Sequence, residues 1–324
     1  MVWLNVVAKN SMEWRGLRMK VGVIMGGTSS ERDISLLTGQ EMITHLDPQK
    51  YEVVPVVINN KRELIEKSAG LDIALLALHG KYGEDGTIQG TLDSLGIPYT
   101  GCGVLASSVC MDKDISKRIM QQAGVPTVEW LQISDLEELS STTVMQLSYP
   151  VVVKPNSGGS SIGTQIVREP STLREATEAA LAWDDTVMIE QYIEGEEITC
   201  AILDGTMLPV ISIRSSGAFF DYSSKYDDGG AEERIVQLPA DIHKHVEAAA
   251  LTCYHVLKCS VYARVDMIIR DGMPYVLEVN TLPGLTRNSL LPKSADAAGI
   301  SFAKLLDSII ELSLQQRRKE AKSG

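Results

Sequence analysis

Residues 150–167, Pro-Val-Val-Val-Lys-Pro-Asn-Ser-Gly-Gly-Ser-Ser-Ile-Gly-Thr-Gln-Ile-Val, decide the fold. Residues 150–154 and 164–167 are short strand-forming runs, and 156–163 between them is a Gly/Ser-rich turn. Strand, turn and strand with no helix between them belong to an antiparallel sheet. Glycines let backbone approach a ligand closely, and consecutive N–H groups make an anion nest. Lys154, closing the first strand, adds a point charge for phosphate. The pattern is not a Walker A loop, because the lysine precedes the glycines. A flexible hairpin turn is the bland alternative for this motif alone.

Upstream the pattern alternates differently. Residues 20–25, 51–58 and 72–78 are short, largely apolar strands, and 30–45 reads as a helix between the first two. Such runs separated by helices predict a parallel sheet covered on both faces. Residues 112–123 form a helix that stops at Gly124, with Pro126 beyond. A polar, linker-like stretch follows at 134–141. Downstream lie strands at 187–191 and 198–203 and a hairpin signal at Asp204-Gly205. Residues 215–233 make a polar loop too long for a plain connection, the length of a lid or a disordered segment. A helix over 240–258, a hairpin over 261–280 and a helix over 303–316 complete the chain. The fold class is α/β with an α+β remainder.

The 324 residues suggest two domains, and three compact lobes also fit. The formal net charge of −12 and 5% aromatic content argue against nucleic acid or an anionic membrane surface as partner. No apolar run reaches the roughly 18 residues that span a bilayer. Cys102, Cys110, Cys200, Cys253 and Cys259 form no C-x-x-C pair and read as reduced, packed thiols of a cytoplasmic protein. Residues 1–18 read as an extension, disordered or non-native, because Met19-Lys20-Val21 resembles a start.

Arg264-Val265-Asp266 faces Glu278-Val279-Asn280 across the last hairpin. Period-two alternation places Asp266 on one face of its strand, and Glu278 and Asn280 on one face of theirs. Three oxygen ligands from adjacent strands suit Mg²⁺; a solvated sheet face with a stray ion pair is the alternative. A bare Asp271-Gly272 turn would pair Arg270 with Met273 and oppose Asp266 to Leu277, sending Asp266 and Glu278 to opposite faces. The metal site therefore requires a bulge or an odd loop, and a three- or five-residue loop is expected.

Gly26-Gly27-Thr28-Ser29-Ser30-Glu31-Arg32 follows the first strand and opens a helix. Thr28 to Glu31 fits a capping box, or Glu31 holds a substrate ammonium at the carboxyl edge of the sheet. His79, in His79-Gly80-Lys81-Tyr82-Gly83, ends the third strand at the same edge.

GGTSSERDIS, LHGKYGEDGTIQG, MDKDISK, KPNSGGSSIG, EQYIEGEE, DYSSKY, ARVDMI and LEVNTLPGLTRNSLLP occur in that order from residue 26 to 292. Together they resemble the D-alanine–D-alanine ligase family of the ATP-grasp fold. The resemblance implies three lobes: 19–111, an α/β substrate domain; 112–197, a central ATP-grasp lobe; and 198–324, a C-terminal lobe bearing the lid and metal site. It implies ATP contacts from Lys113, Lys154, Ser161 and Lys225, an adenine pocket at Glu190, Gln191, Tyr192 and Ile193, and a ribose contact at Glu197. Asp266, Glu278 and Asn280 would hold two Mg²⁺ ions, with Mn²⁺ as a substitute. Glu31, with His79 nearby, would take the first D-alanine, and Ser289 and Leu290 the carboxylate of the second. Ser160 and Tyr226 would join Glu31 in closing the lid at 221–228. Arg264 and the Gly284 N–H would form an oxyanion hole. The family also implies a homodimer.

The nearest rival is a D-alanine–D-lactate ligase, and Lys225-Tyr226 resembles the dipeptide-forming branch. A non-catalytic nucleotide-binding protein would predict a broken metal triad or a missing lid tyrosine, and both are intact.

Overall fold

A computed structural model describes residues 18–140, 144, 147–215 and 231–322. In chain order the first elements are β1 (Met19–Gly26), α1 (Arg32–His45), β2 (Tyr51–Ile58), α2 (Lys61–Lys67), β3 (Ile73–Leu76) and α3 (Thr87–Ser94). There follow α4 (Val104–Met111), α5 (Lys113–Gln122), β4 (Trp130–Ile133), β5 (Val151–Pro155), β6 (Gln165–Val167), α6 (Leu173–Leu181), β7 (Val187–Gln191), β8 (Glu196–Leu203), β9 (Thr206–Met207), β10 (Ile211–Ser215), β11 (Ala231–Ile235), α7 (Ala240–Val256), β12 (Tyr262–Arg270) and β13 (Met273–Asn280). The chain ends with α8 (Leu290–Ala297) and α9 (Phe302–Ala321). It forms two compact units. The first takes the described residues up to Gly83, Thr87–Gly101 and those from Gly284 on; the second takes Glu84–Gly86 and Cys102–Pro283.

In the first unit β1 lies between β2 and β3 in a parallel sheet. Burial on both faces explains why β1 carries no polar side chain from Val21 on. α1 comes close enough to β1 that a Cβ on Gly39 would stand 2.8 Å from Met25 Cβ. α9 is tied in by polar contacts. Asp307 accepts from Tyr51 Oη at 3.0 Å and pairs with Lys50 at 2.5 Å. Arg317 donates to Tyr99 Oη at 2.9 Å and to the Gly101 carbonyl at 2.7 Å.

The second unit holds two sheets where the alternation of strands suggests one. The chain leaves a four-stranded antiparallel sheet, β4-β7-β5-β6, after Gln191 and enters a six-stranded sheet at Glu196. In the smaller sheet Val151, Val153, Val187 and Ile189 enter a core with Leu173, Ala176 and Ala180 of α6. In the larger, Val265, Met267, Val276 and Val279 pack with Val246, Ala250 and Cys253 of α7. All five cysteines are buried.

Some boundaries differ from the sequence reading. The polar stretch at 134–141 contains a 3-10 turn, Leu136–Ser140, rather than being a plain linker. The long loop is shorter than 215–233, because β11 begins at Ala231 and pairs with β10. Lys225, Tyr226 and the rest of the expected lid at 221–228 lie outside the described residues.

Candidate active site

The last hairpin corrects the expected loop. Arg270 pairs directly with Met273 around Asp271-Gly272, and both turn residues have positive φ, 51° and 76°, as a tight hairpin requires. The alternative requirement, a bulge, is what the chain uses. Asp266 pairs with Glu278, Met267 pairs with Val276, and Leu277 is the extra residue. Leu277 and Glu278 are thereby both turned to the face of Asp266, where all three line one cavity.

That cavity, about 690 Å³, lies wholly within the second unit. Its size is that of a small-molecule site, typically about 300–1,000 Å³. One wall is the polar face of the smaller sheet, carrying Val152, Lys154 and Glu190; opposite are Asp266, Ile268 and Glu278. Tyr192, Ile193 and Glu194 line it from the connection between the sheets, with Gln191 at the end of β7 and Glu197 at the start of β8, and Ser161 lines it from the glycine-rich loop. In that loop Ser160 and Ser161 both have positive φ, 55° and 57°, a conformation that serine rarely adopts and that clusters at ligand sites.

Three buried lysines cluster at this wall, and two of them, Lys113 and Lys154, line the cavity. Lys113, the first residue of α5, donates to the Gly158 carbonyl at 2.5 Å and stands 3.5 Å from Glu278. Burial pulls its pKa down, against the pull of Glu278. Lys154 bonds one oxygen of Glu190 at 2.5 Å, and Lys117 pairs with the other at 2.8 Å. Burial by itself would raise the Glu190 carboxyl, but the two ammoniums hold it at about 2. Glu190 thus lines the cavity as an anchor for lysines.

Asp266 accepts from Arg264 through both oxygens, at 2.9 and 2.7 Å, from Asn280 at 3.0 Å and from Thr199 at 2.6 Å. Burial opposes the Arg264 charge, but Asp266, Glu278 and Glu84 more than restore it and push its pKa above the usual value. The guanidinium is therefore a fixed cation. Two carboxylates and an amide, offering hard oxygens from one sheet face beside a cavity that lysines also line, fit Mg²⁺.

In the first unit Glu31 and His79 come together. Glu31 is the N-cap of α1 and makes no side-chain cap, and its amide is bonded by Ser29 Oγ at 3.3 Å. The Thr28–Glu31 capping box is therefore not what orders this turn. A Cβ on Gly80, next to His79, would stand 3.0 Å from Glu31 Oε2. His79 Nε2 lies 3.2 Å from Thr38 Oγ1. Ser289 is the N-cap of α8 and its hydroxyl bonds Thr286 Oγ1 at 2.7 Å, so the Leu290 end of that helix presents its first-turn amides. Gly284 precedes this turn, and a Cβ there would stand 3.0 Å from Ser289 Oγ.

Lys117 and Thr199 were missed by the sequence reading. Lys113, Ser116, Lys117 and Met120 are all buried on α5, the i, i+3, i+4, i+7 spacing of a core-facing stripe. A lysine in that register was the signal. Thr199 pairs directly with Asp266 across β8 and β12.

A family profile for the D-ala D-ala ligase C-terminus matches residues 119–311, and one for the N-terminus matches 20–70 and 59–102. A curated D-alanine–D-alanine ligase of Bacillus anthracis is 57% identical over 302 residues, 93% of this chain and 99% of that protein. The crystal structure of D-alanine–D-alanine ligase from Bacillus anthracis complexed with ATP superposes with a TM-score of 0.86 at 54% identity, covering 93% of this chain and 99% of that one. The VanG D-Ala:D-Ser ligase of Enterococcus faecalis superposes at 0.80 with 30% identity, covering 92% and 100%. With matched profiles over most of its length and a relative this similar over nearly all of it, the chain belongs to the D-alanine–D-alanine ligase family and has its ATP-grasp fold.

Proposed function

We propose that the chain joins two D-alanines into D-alanyl-D-alanine, a peptidoglycan precursor, with ATP driving the reaction through D-alanyl phosphate. The observation that carries this reading is the cavity of the second unit, where Lys113 and Lys154 face the carboxylates Asp266 and Glu278. A triphosphate needs such cations and an oxygen-ligated metal together.

The roles follow from the chemistry of each group. Lys113, Lys154, Ser161 and Lys225 hold phosphates. Tyr192 and Ile193, with Glu190 and Gln191 behind them, frame the adenine, and Glu197 takes the ribose. Asp266, Glu278 and Asn280 hold Mg²⁺, which when bound neutralises charge across the phosphates. Glu31, beside His79, binds the first D-alanine's ammonium. The carboxylate oxygen of that first D-alanine attacks the γ-phosphorus and ADP leaves. The second D-alanine, its carboxylate on the Ser289–Leu290 amides, attacks the acyl carbon with its amine. Arg264 and the Gly284 N–H meet the developing oxyanion; phosphate then leaves, and the amine, which attacks in its neutral form, gives up its proton to the departing phosphate or to solvent. Ser160 and Tyr226 link with Glu31 to close the lid at 221–228 and exclude water from the acyl phosphate.

The same reading divides the chain into lobes at 19–111, 112–197 and 198–324 and makes it a cytoplasmic homodimer. Light scattering that reads a single chain mass would reject the dimer. Among the described residues no helix is long and apolar enough to cross a membrane.

The deciding experiment measures phosphate release from ATP and Mg²⁺ with D-alanine alone, then with D-lactate or D-serine added, products being identified by mass. Dipeptide from D-alanine alone is the expected result. A dominant depsipeptide or D-alanyl-D-serine would move the specificity, and no phosphate release would reject the reaction.

A further inference from the structure

Lys117 is the least expected of the three lysines. It is fully buried and does not line the cavity, which Lys154 and Glu190 both do. Its ammonium lies 2.8 Å from Glu190 Oε2 and 3.4 Å from the Val128 carbonyl, and 5.3 Å from the centre of the Trp130 ring. A buried ion pair is a poor device for stability, since desolvation offsets its attraction and an apolar pair of the same shape commonly serves as well. A lysine kept in this place therefore calls for another role.

The arrangement of charges supplies one. Glu190 spends one oxygen on Lys154 and the other on Lys117. Two ammoniums share one carboxylate, so the cluster carries excess positive charge, and only Lys154 brings it to the cavity wall. Without Lys117, Glu190 and Lys154 would form a closed neutral pair, and a phosphate would have to compete with a carboxylate for the ammonium. From this geometry we propose that Lys117 is a positioning residue for the nucleotide, which occupies the far oxygen of Glu190 and so leaves Lys154 both anchored and available to phosphate. The inference rests on the reading of Lys154 as a nucleotide ligand. Burial, joined by the neighbouring Lys154, lowers the Lys117 pKa against the opposing pull of Glu190.

The test is a cycle of Lys117→Met, Glu190→Gln and the double variant in the full-length enzyme, with Lys154→Met as reference. ADP binding is read by calorimetry at fixed Mg²⁺, and kcat and both KM values by phosphate release. K117M should weaken ADP by about tenfold or more and raise the KM for ATP in parallel, while kcat at saturating ATP changes by less than about threefold. The KM for D-alanine should not move. In the E190Q background the K117M effect on ADP should disappear, because the carboxylate that captures Lys154 is gone. Equal losses in both backgrounds would mean that Lys117 only packs, and would overturn the proposal. So would unchanged ADP affinity in K117M where K154M weakens it. If K154M also leaves ADP affinity intact, the underlying reading of Lys154 fails with it. Should K117M not fold, Lys117→Gln is read by the same criteria.

Discussion

Arg264 grips Asp266 through two parallel hydrogen bonds from two residues away on the same strand. Its raised pKa keeps it charged through any working pH, so it can stabilise an oxyanion but cannot shuttle a proton. Arg264→Ala is expected to lower kcat by about 10²–10³, the usual loss for one oxyanion donor, with a much smaller change in the KM for ATP. A variant showing the reverse split would take Arg264 out of that role. Glu190 gives a pH signature of its own. Its folded value of about 2 lies below its reference value of 4.5, so the ionised carboxylate contributes stability that is complete above the higher value. That contribution is lost as pH falls through the lower one. Thermal melts followed from about pH 5 down to about pH 2 should therefore fall more steeply for the wild type than for Glu190→Gln. Parallel slopes would show that the two lysines do not depress this group.

At the scale of elements the site depends on two local devices, the bulge at Leu277 and the tight connection from β7 to β8. In that connection a Cβ on Gly195 would stand 2.3 Å from the Ile269 carbonyl oxygen, and a backbone atom cannot swing aside. Gly195→Ala should thus destabilise the protein by about 1–3 kcal/mol, as overpacking does, and raise the KM for ATP by moving Ile193 and Glu197. A melt and a KM unchanged from wild type would show that the connection can shift freely. The strands of the first unit were legible because a parallel strand buried on both faces is an apolar run, as β3 is at every position, and β2, though it carries Glu52, begins and ends at the expected 51 and 58. Lys154 was legible because the glycines after it are unusual. Lys117 was not, since a lysine ordinarily marks the solvated side of a helix, and only its register with Met120 says otherwise. The bulge was constrained without being located. The two carboxylates demanded an odd residue somewhere, and side-chain pattern does not say whether turn or strand absorbs it. The short helices α2, α3, α4 and α8, of seven or eight residues, passed unread because two turns are too few to establish a period.

Over the whole molecule, the net charge of −12 coexists with a cavity walled by buried cations. Anchoring is divided. Asp307 of α9 serves the first unit alone, so Asp307→Ala is expected to cost about 1–3 kcal/mol in denaturant melts, the penalty for stripping a buried hydroxyl of its partner. ADP affinity should stay within about twofold of the wild type, because the cavity lies in the other unit. A large loss of affinity would show that the two units are energetically coupled through α9. The return of the chain to its first unit after Gly284 also bears on synthesis. On the ribosome β1, β2 and β3 emerge first, yet the partners of Tyr51 and Tyr99 are residues 307 and 317. The nascent first unit must wait, unfinished, while the whole second unit is translated, and it can close only once residues 307 and 317 have been made.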